Sequence, residues 1–386
     1  MHHSPRFSTR MQDLQASPIR EILSIASQPG MVSFAGGLPS PDSFPMLDVS
    51  PPADVLQYGS TEGDVALRTC IAAELTQRGL TCLPEQVLVL SGSQQGIDLV
   101  AKLFIDAGSP IAVESPTYLA ALQVFRLFGA RFLPFNIQQA DSMAWEKERP
   151  TFAYAIPTFQ NPTGHCYNTI ERAALASACD AYQVPLFEDD PYCDLVYADC
   201  DRTPVCARLA SAPWIYQGSF SKTLAPGLRL GFLAASPAFI PYLTRLKQAA
   251  DLHSNRLSQW LVLQQLQHPD RAARMKTLRE NYQEKRDQFA LCLQQHCSDI
   301  ATWEIPQGGL FFWLTLHQRI DTRQLLPLAI EQGIAFMPGE HFYPDSHAGI
   351  GTLRLNFSHA SHEDMQYGLQ KLAGLLRIAI QHTAAA

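Results

Sequence analysis

Ser219-Phe220-Ser221-Lys222-Thr223-Leu224-Ala225-Pro226-Gly227-Leu228-Arg229-Leu230-Gly231-Phe232 is the stretch on which the reading of this chain turns. A lysine stands among small hydroxyl residues, and an arginine follows seven positions later. Short apolar runs at 214–217 and 228–234 flank the loop and read as strands. A lysine on a serine-rich loop between two strands is a positioned amine, with hydroxyls and a guanidinium at hand for a phosphate.

Working outward, the apolar runs at 87–90, 111–114, 131–135, 152–156 and 184–188 also read as strands. Helical patterns at 64–78, 118–128 and 169–182, and one starting near Gln94, lie between many of them. Short apolar strands alternating with helices predict an α/β fold, a mostly parallel sheet covered on both faces. A long helical pattern at 269–292 separates this block from the rest. The remainder changes character: strands at 303–305, 310–316, 334–337 and 352–357 and helices at 321–331 and 361–381 predict a smaller α+β domain. Ahead of the large block lies an arm with a short helix at 19–26, then five prolines between Pro39 and Pro52 that keep the chain extended.

Composition narrows the function classes. The chain has 386 residues, 46% of them hydrophobic, enough for a sizeable core in two or three domains. The net charge of −7 argues against nucleic acid as the main partner, which asks for clustered Lys and Arg. No apolar run approaches the roughly 18 residues of a membrane helix, and the first residues lack the apolar centre of a signal peptide. The cysteines, nine in number and without C-x-x-C spacing, predict free thiols in a reducing cytoplasm and no metal site.

Three further segments end predicted strands, where open α/β sheets bind ligands. Ser91-Gly92-Ser93-Gln94-Gln95-Gly96 is a strand-to-helix turn, whose backbone N–H groups suit a phosphate. Asn161-Pro162-Thr163-Gly164 suits a turn after the strand at 152–156. Phe187-Glu188-Asp189-Asp190-Pro191-Tyr192 brings carboxylates to a strand's end. A carboxylate facing a pyridine nitrogen holds it protonated, and a protonated ring is an electron sink. Together with a lysine able to form a Schiff base, these segments point to pyridoxal phosphate (PLP) as cofactor.

In order and in wording the chain resembles the PLP-dependent aminotransferases of fold type I. It is most similar to the 2-aminoadipate/kynurenine aminotransferase subgroup, which also includes the effector domains of MocR-type regulators. The resemblance rests on Ser17-Pro18-Ile19-Arg20, Phe34-Ala35-Gly36-Gly37-Leu38-Pro39, Tyr58-Gly59 with Gly63 and Leu67-Arg68, and Glu114-Ser115-Pro116-Thr117-Tyr118. It rests equally on 161–164, 188–192, 219–231, Pro306-Gln307-Gly308-Gly309-Leu310-Phe311-Phe312-Trp313 and Leu353-Arg354-Leu355. It implies a large PLP-binding domain over 51–285 with a seven-stranded, mostly parallel sheet, a small domain over 286–386, and an arm over 1–50 that packs with the small domain.

The resemblance also implies roles. Lys222 carries the cofactor as a Schiff base. Asp189, from the family spacing Asp-x-x-Tyr, pairs with the ring nitrogen. Tyr192 and Asn161 bond the ring hydroxyl oxygen, and Tyr118 stacks on the ring. Ser93, Gln94, Ser219, Ser221 and Arg229 hold the phosphate, and Tyr58 reaches the phosphate of the neighbouring subunit in a homodimer. Arg354 grips the substrate α-carboxylate in a two-point fork, assisted by Asn161 and the backbone at Gly37. Arg20 meets a side-chain carboxylate, as of glutamate or 2-aminoadipate, or is displaced to admit aromatic or aliphatic side chains.

The expected activity is amino-group exchange between an L-amino acid and a 2-oxo acid by a ping-pong mechanism, with the Lys222 amine as general base. Two rivals share the fold and the lysine. A carbon–sulfur β-lyase releases pyruvate and ammonia and needs no amino acceptor. A MocR-type regulator carries a DNA-binding domain ahead of this fold, and the roughly 15 residues before Ser17, with the acidic charge, set the expectation against it.

Overall fold

The computed structural model describes residues 7–11, 22, 30–47, 50–139, 143 and 145–384. Arg20 and, apart from Ile22, the helix expected over 19–26 lie outside these residues.

In chain order the elements begin β1 Val32–Ser33, α1 Val65–Gln77, β2 Val87–Leu90, α2 Ser93–Phe104, β3 Pro110–Glu114, α3 Leu119–Leu127, β4 Arg131–Phe135 and β5 Ala153–Ala155. Next come α4 Thr169–Tyr182, β6 Leu186–Asp190, β7 Trp214–Ser219, β8 Gly231–Ala235, α5 Ile240–Asp251, α6 Arg256–Gln267 and α7 Arg271–Cys297. The chain closes with β9 Ala301–Trp303, β10 Phe311–Leu316, α8 Thr322–Glu331, β11 Ile334–Ala335, β12 Met337–Pro338, β13 Thr352–Asn356 and α9 His362–Ala384.

Seven strands form one sheet in the order β2-β8-β7-β6-β5-β3-β4, and only the two pairings of β8 are antiparallel. This is the α/β sheet that the short apolar runs predict. The two-residue period of a strand divides its side chains between two cores. Val87 and Val89 face one that includes α1, α4 and α6, while Leu88 and Leu90 face one that includes α2, α3 and α5. Because both faces are covered, the strands read as continuous hydrophobic runs. At the start of α4, Asn168 accepts the Ile170 and Glu171 amides, and Glu171 returns a bond to the Asn168 amide. That reciprocal pairing sets where the helix begins.

A second sheet, β12-β13-β10-β9, is antiparallel, and β1 pairs with β11 in a two-stranded ribbon. The Asn356 amide also donates to the Phe34 carbonyl, at 2.8 Å, so residues 32–34 are tied to both β11 and β13. Helix α7 runs unbroken across residues 285 and 286, and its inward face (Leu278, Tyr282, Phe289, Cys292, Leu293 and Cys297) joins the core under the second sheet.

The structure departs from the sequence expectation in places. The strand expected to start at 228 starts at Gly231, because Pro226–Leu228 form a tight turn and Arg229 takes a left-handed backbone with φ of 48°. The strand expected at 334–337 is two short pieces, one in each small sheet. Helices α5 and α6 occupy a stretch, 240–267, to which no element was assigned from sequence.

Phe289 is the joint of the arm and the second core: its ring stacks on Phe312 at 5.3 Å and meets the edge of Phe34 at 5.4 Å. Phe289→Ala should cost about 3–5 kcal/mol by leaving a cavity at a buried aromatic. Urea denaturation measures this, and a loss below about 1 kcal/mol would show that the joint is not structural.

Candidate active site

Strands β2, β3, β5, β6 and β7 run in the same direction, so their carboxyl ends share one edge of the sheet. An open α/β sheet binds ligands along that edge. Ser93 follows β2, Tyr118 follows β3, Asn161 follows β5, Asp189 and Tyr192 sit at the end of β6, and Lys222 follows β7. Antiparallel β8 begins at the same edge, which brings Arg229 there from the other direction. Arg354 arrives from β13 of the second sheet.

Lys222 is half-buried, and its Nζ donates to the Gly37 carbonyl at 2.7 Å. The same nitrogen lies 6.0 Å from the centre of the Tyr192 ring. Burial first, then the charges of Arg354 and Arg229, lower the amine's pKa to about 8. Arg354 is 3% exposed and lies between two rings, 4.1 Å from the centre of Phe311 and 5.0 Å from that of Phe342. It donates to the Asn161 side-chain oxygen at 2.7 Å and to the Ala35 carbonyl at 2.5 Å, and its Nε has no partner among the described residues. Burial brings its pKa down to about 10. Burial pushes the Tyr192 phenol up. Tyr118, at the start of α3, is pushed up to about 12 by burial and by the charge of Asp189.

The period of β6 separates its carboxylates. Asp189 points to the side of Tyr154, which donates its O–H at 2.8 Å, while the Gln217 side chain donates to the other oxygen at 2.9 Å. Asp190 turns to the opposite face and accepts from Tyr216 at 2.7 Å. Glu188 accepts the backbone amides of Val205 and Cys206. Burial raises Asp189 to about 6, against the lowering effect of its two hydrogen bonds. Among the described residues both of its bonds come from neutral donors, and a carboxylate so placed gains from a cation.

At the start of α2, Gly92 takes φ of 81° and supplies no capping side chain. A Cβ there would lie 2.5 Å from Arg229 Nη2, so glycine is what allows the guanidinium to lie over the turn. A helix N-terminus without a side-chain cap, next to an arginine, is an anion cradle. Ser219 and Ser221 lie alongside, the Ser221 amide donating to Ser219 Oγ at 3.2 Å. Tyr58 stands apart: it is 77% exposed, edge-on to His253 at 5.7 Å.

Sequence reasoning did not find Tyr154 and Gln217. The signal was a phenol and an amide within the otherwise apolar runs Ala153-Tyr154-Ala155 and Ile215-Tyr216-Gln217. Nor did it find Lys247, fully buried, which donates to Asp251, Gln95 and Ser254. Through Asp251, which accepts from Ser91 and Gln95, this cluster braces the turn that opens α2.

The residues fit the cofactor expected from sequence. The bare α2 N-terminus with Arg229 suits its phosphate, the buried Asp189 suits a protonated ring nitrogen, and the Lys222 amine lies within the electrostatic reach of Arg229 and Arg354.

Residues 49–372 match the family described as aminotransferase class I and II. The 2-aminoadipate transaminase of Thermus thermophilus is 38% identical over 383 residues, covering 94% of each chain. Aromatic-amino-acid aminotransferase 1 of Thermococcus litoralis is 34% identical over 393 residues, covering 96% of this chain and 94% of that protein. Among solved structures, an α-aminoadipate aminotransferase of Thermus thermophilus, complexed with N-(5′-phosphopyridoxyl)-L-leucine, matches with a TM-score of 0.87 at 35% identity, covering 97% of this chain and 98% of that one. This chain therefore belongs to the class I and II aminotransferases, pyridoxal-phosphate-dependent enzymes of fold type I.

Proposed function

We propose that the enzyme moves an amino group from an L-amino acid to a 2-oxo acid in two half-reactions, with Lys222 as the residue that bonds the cofactor and moves the proton. The observation that supports this most directly is the Lys222 amine itself, its pKa lowered to about 8 by burial and two arginines. Bound PLP supplies an aldehyde and a protonated ring that takes up the electron pair left when a C–H proton is removed.

The chain's residues divide the remaining work. Asp189, fixed by Tyr154 and Gln217, holds the ring proton. Ser93, Gln94, Ser219, Ser221 and Arg229 hold the phosphate. Tyr118 covers the ring, and Asn161 and Tyr192 bond its hydroxyl oxygen. Arg354, with Asn161 and the Gly37 backbone, holds the substrate carboxylate, so the α-carbon's proton is presented to Lys222 Nζ. Lys222 Nζ would take up that proton and carry it for return, acting as the general base of the half-reaction. Tyr58 completes the site of a second subunit in a homodimer, a reading supported by its exposure and that of Met46, Leu56 and Leu252. The arm 1–50, large domain 51–285 and small domain 286–386 belong to the same reading. A cytoplasmic location is supported by nine free thiols.

For substrate, the names of the relatives support an acidic or aromatic amino acid. Arg20, outside the described residues, is the proposed contact for a side-chain carboxylate. In Arg20→Ala, glutamate turnover should fall while phenylalanine turnover holds, and an equal effect on both sinks that role.

Lys222→Ala should lose multiple-turnover transamination and the borohydride-trapped cofactor adduct. A mutant that still traps PLP covalently would refute the assignment. The pH dependence follows from the amine: its ammonium form is inert, and lowering the pKa frees the base at lower pH. Covalent capture of PLP by cofactor-free enzyme should rise with pH along a curve centred near 8, whereas a rise centred near 10.5 would show an ordinary lysine. Arg354→Lys should raise KM for the amino acid roughly 10- to 100-fold through loss of the charge-assisted fork while PLP stays bound. Loss of PLP instead would move Arg354 to the cofactor. Product formation without a 2-oxo acid acceptor would favour the β-lyase chemistry.

A further inference from the structure

Lys247 and Asp251 stand one helical turn apart at the end of α5, outside the groups that the proposed reaction uses. The Lys247 side chain is 0% exposed. Its ammonium donates to both Asp251 oxygens, at 2.9 and 3.0 Å, to the Gln95 side-chain oxygen at 3.0 Å and to Ser254 Oγ at 2.9 Å. Asp251 Oδ2 also accepts from Ser91 Oγ at 2.7 Å and from Gln95 Nε2 at 2.8 Å. The Ser91 amide closes the network, donating at 2.9 Å to the same Gln95 oxygen that Lys247 holds. Ser254 Oγ lies 3.1 Å from Ser91 Oγ and donates to the Val89 carbonyl of β2 at 3.3 Å.

A buried ion pair is costly to desolvate, and apolar side chains of similar volume often replace one without loss of stability. Packing α5 on α2 therefore does not by itself call for this pair. An apolar contact cannot fix direction, whereas hydrogen bonds set the Ser91 amide and the Gln95 side chain at defined angles. Ser91 and Gln95 flank Gly92, Ser93 and Gln94, the turn and first residues of α2. Gly92 brings no capping side chain, so the turn is held from behind, by Gln95 folding back on Ser91 and by the pair that grips both. The Arg229 guanidinium lies over this turn, where a Cβ at Gly92 would come within 2.5 Å of it.

We propose that Lys247 is a positioning residue for the cofactor phosphate: through Gln95, Asp251 and Ser91 it fixes the α2 N-terminus relative to Arg229, and so lets the enzyme prefer a phosphorylated pyridine aldehyde over its unphosphorylated form. This rests on the reading that Ser93, Gln94 and Arg229 hold that phosphate. The bonds that place Lys222 and Asp189 involve none of the residues of the network. Its loss should therefore weaken the phosphate end of the site and spare the aldehyde and ring-nitrogen ends.

The test titrates the cofactor-free full chain with PLP and with pyridoxal, which lacks the phosphate, and follows the absorbance of the Lys222 adduct. Lys247→Met should weaken PLP binding roughly 10- to 100-fold and change pyridoxal binding by less than about threefold. Gln95→Met, which keeps the Lys247–Asp251 pair, should show the same selective loss, and it carries the test if Lys247→Met does not fold. An equal loss for the two aldehydes, or no loss, would show a pair that serves stability alone and would overturn the proposal. Arg229→Ala separates this role from the reading beneath it. If Arg229→Ala loses the preference for PLP while the other two variants keep it, the phosphate site stands and the positioning role falls. If Arg229→Ala keeps the preference, the phosphate is bound elsewhere and both fall.

Discussion

Lys222, Arg229 and Arg354 converge on one cleft, and no described carboxylate bonds any of them. Cations brought together away from water repel and are costly to desolvate. Here that cost appears in the lowered pKa values of Lys222 and Arg354. The imbalance also favours anionic ligands: in the proposed reading a phosphate meets Arg229 and a carboxylate meets Arg354. Asp189 carries the opposite imbalance, a buried carboxylate held by neutral donors, suited to a ring that arrives protonated. PLP and an amino acid together supply both signs. Ligand binding therefore neutralises an unbalanced distribution of charge, and the same imbalance lets Lys222 lose its proton at a lower pH than an ordinary lysine.

Such a distribution persists only if the scaffold can hold it. Five strand ends at one edge deliver the groups from different points of the chain, and the strands are covered on both faces by helices, so their ends shift little. Around them, neutral partners orient each charge: Tyr154 and Gln217 hold Asp189, Asn161 and the Ala35 carbonyl hold Arg354, and the Gly37 carbonyl holds Lys222. Ala35 and Gly37 follow β1, which pairs with β11 in the two-stranded ribbon, so that ribbon helps set the position of both cationic groups. Phe311 and Phe342 add ring faces to Arg354, which keep the guanidinium in place without cancelling its charge.

Much of this was legible in the linear chain. Short apolar runs with turn residues at their ends predict a covered parallel sheet. The spacing of Lys222, Arg229, Asp189 and Asn161 at those ends points to PLP, and the family wording around each supplies the roles. Local chemistry carried these readings: a lysine beside serines, a glycine before a helix, a carboxylate closing an apolar strand. The misread pieces were those whose form depends on a distant contact. Gly231, not Leu228, opens β8 because the left-handed Arg229 must lie over Gly92. The run at 334–337 splits because its halves pair with different strands. Helices α5 and α6, in a more polar stretch, owe their place to the sheet they cover.

The sequence by itself determined the chemistry: an amine, an acid, anion-binding groups and a carboxylate fork, in an order few folds share. Only the tertiary structure decided which partners each acid meets and in what electrostatic state each group stands. Asp189 and Asp190 are adjacent in sequence, and the two-residue period of β6 sends one toward Tyr154 and the other toward Tyr216. Tyr154 and Gln217 come to Asp189 from neighbouring strands, a match of register that no local pattern contains. The lowered pKa of Lys222 likewise arises from burial and from arginines 7 and 132 residues away in the chain. Electrostatic fields depend on distance through space, and that distance is set only when the chain has folded.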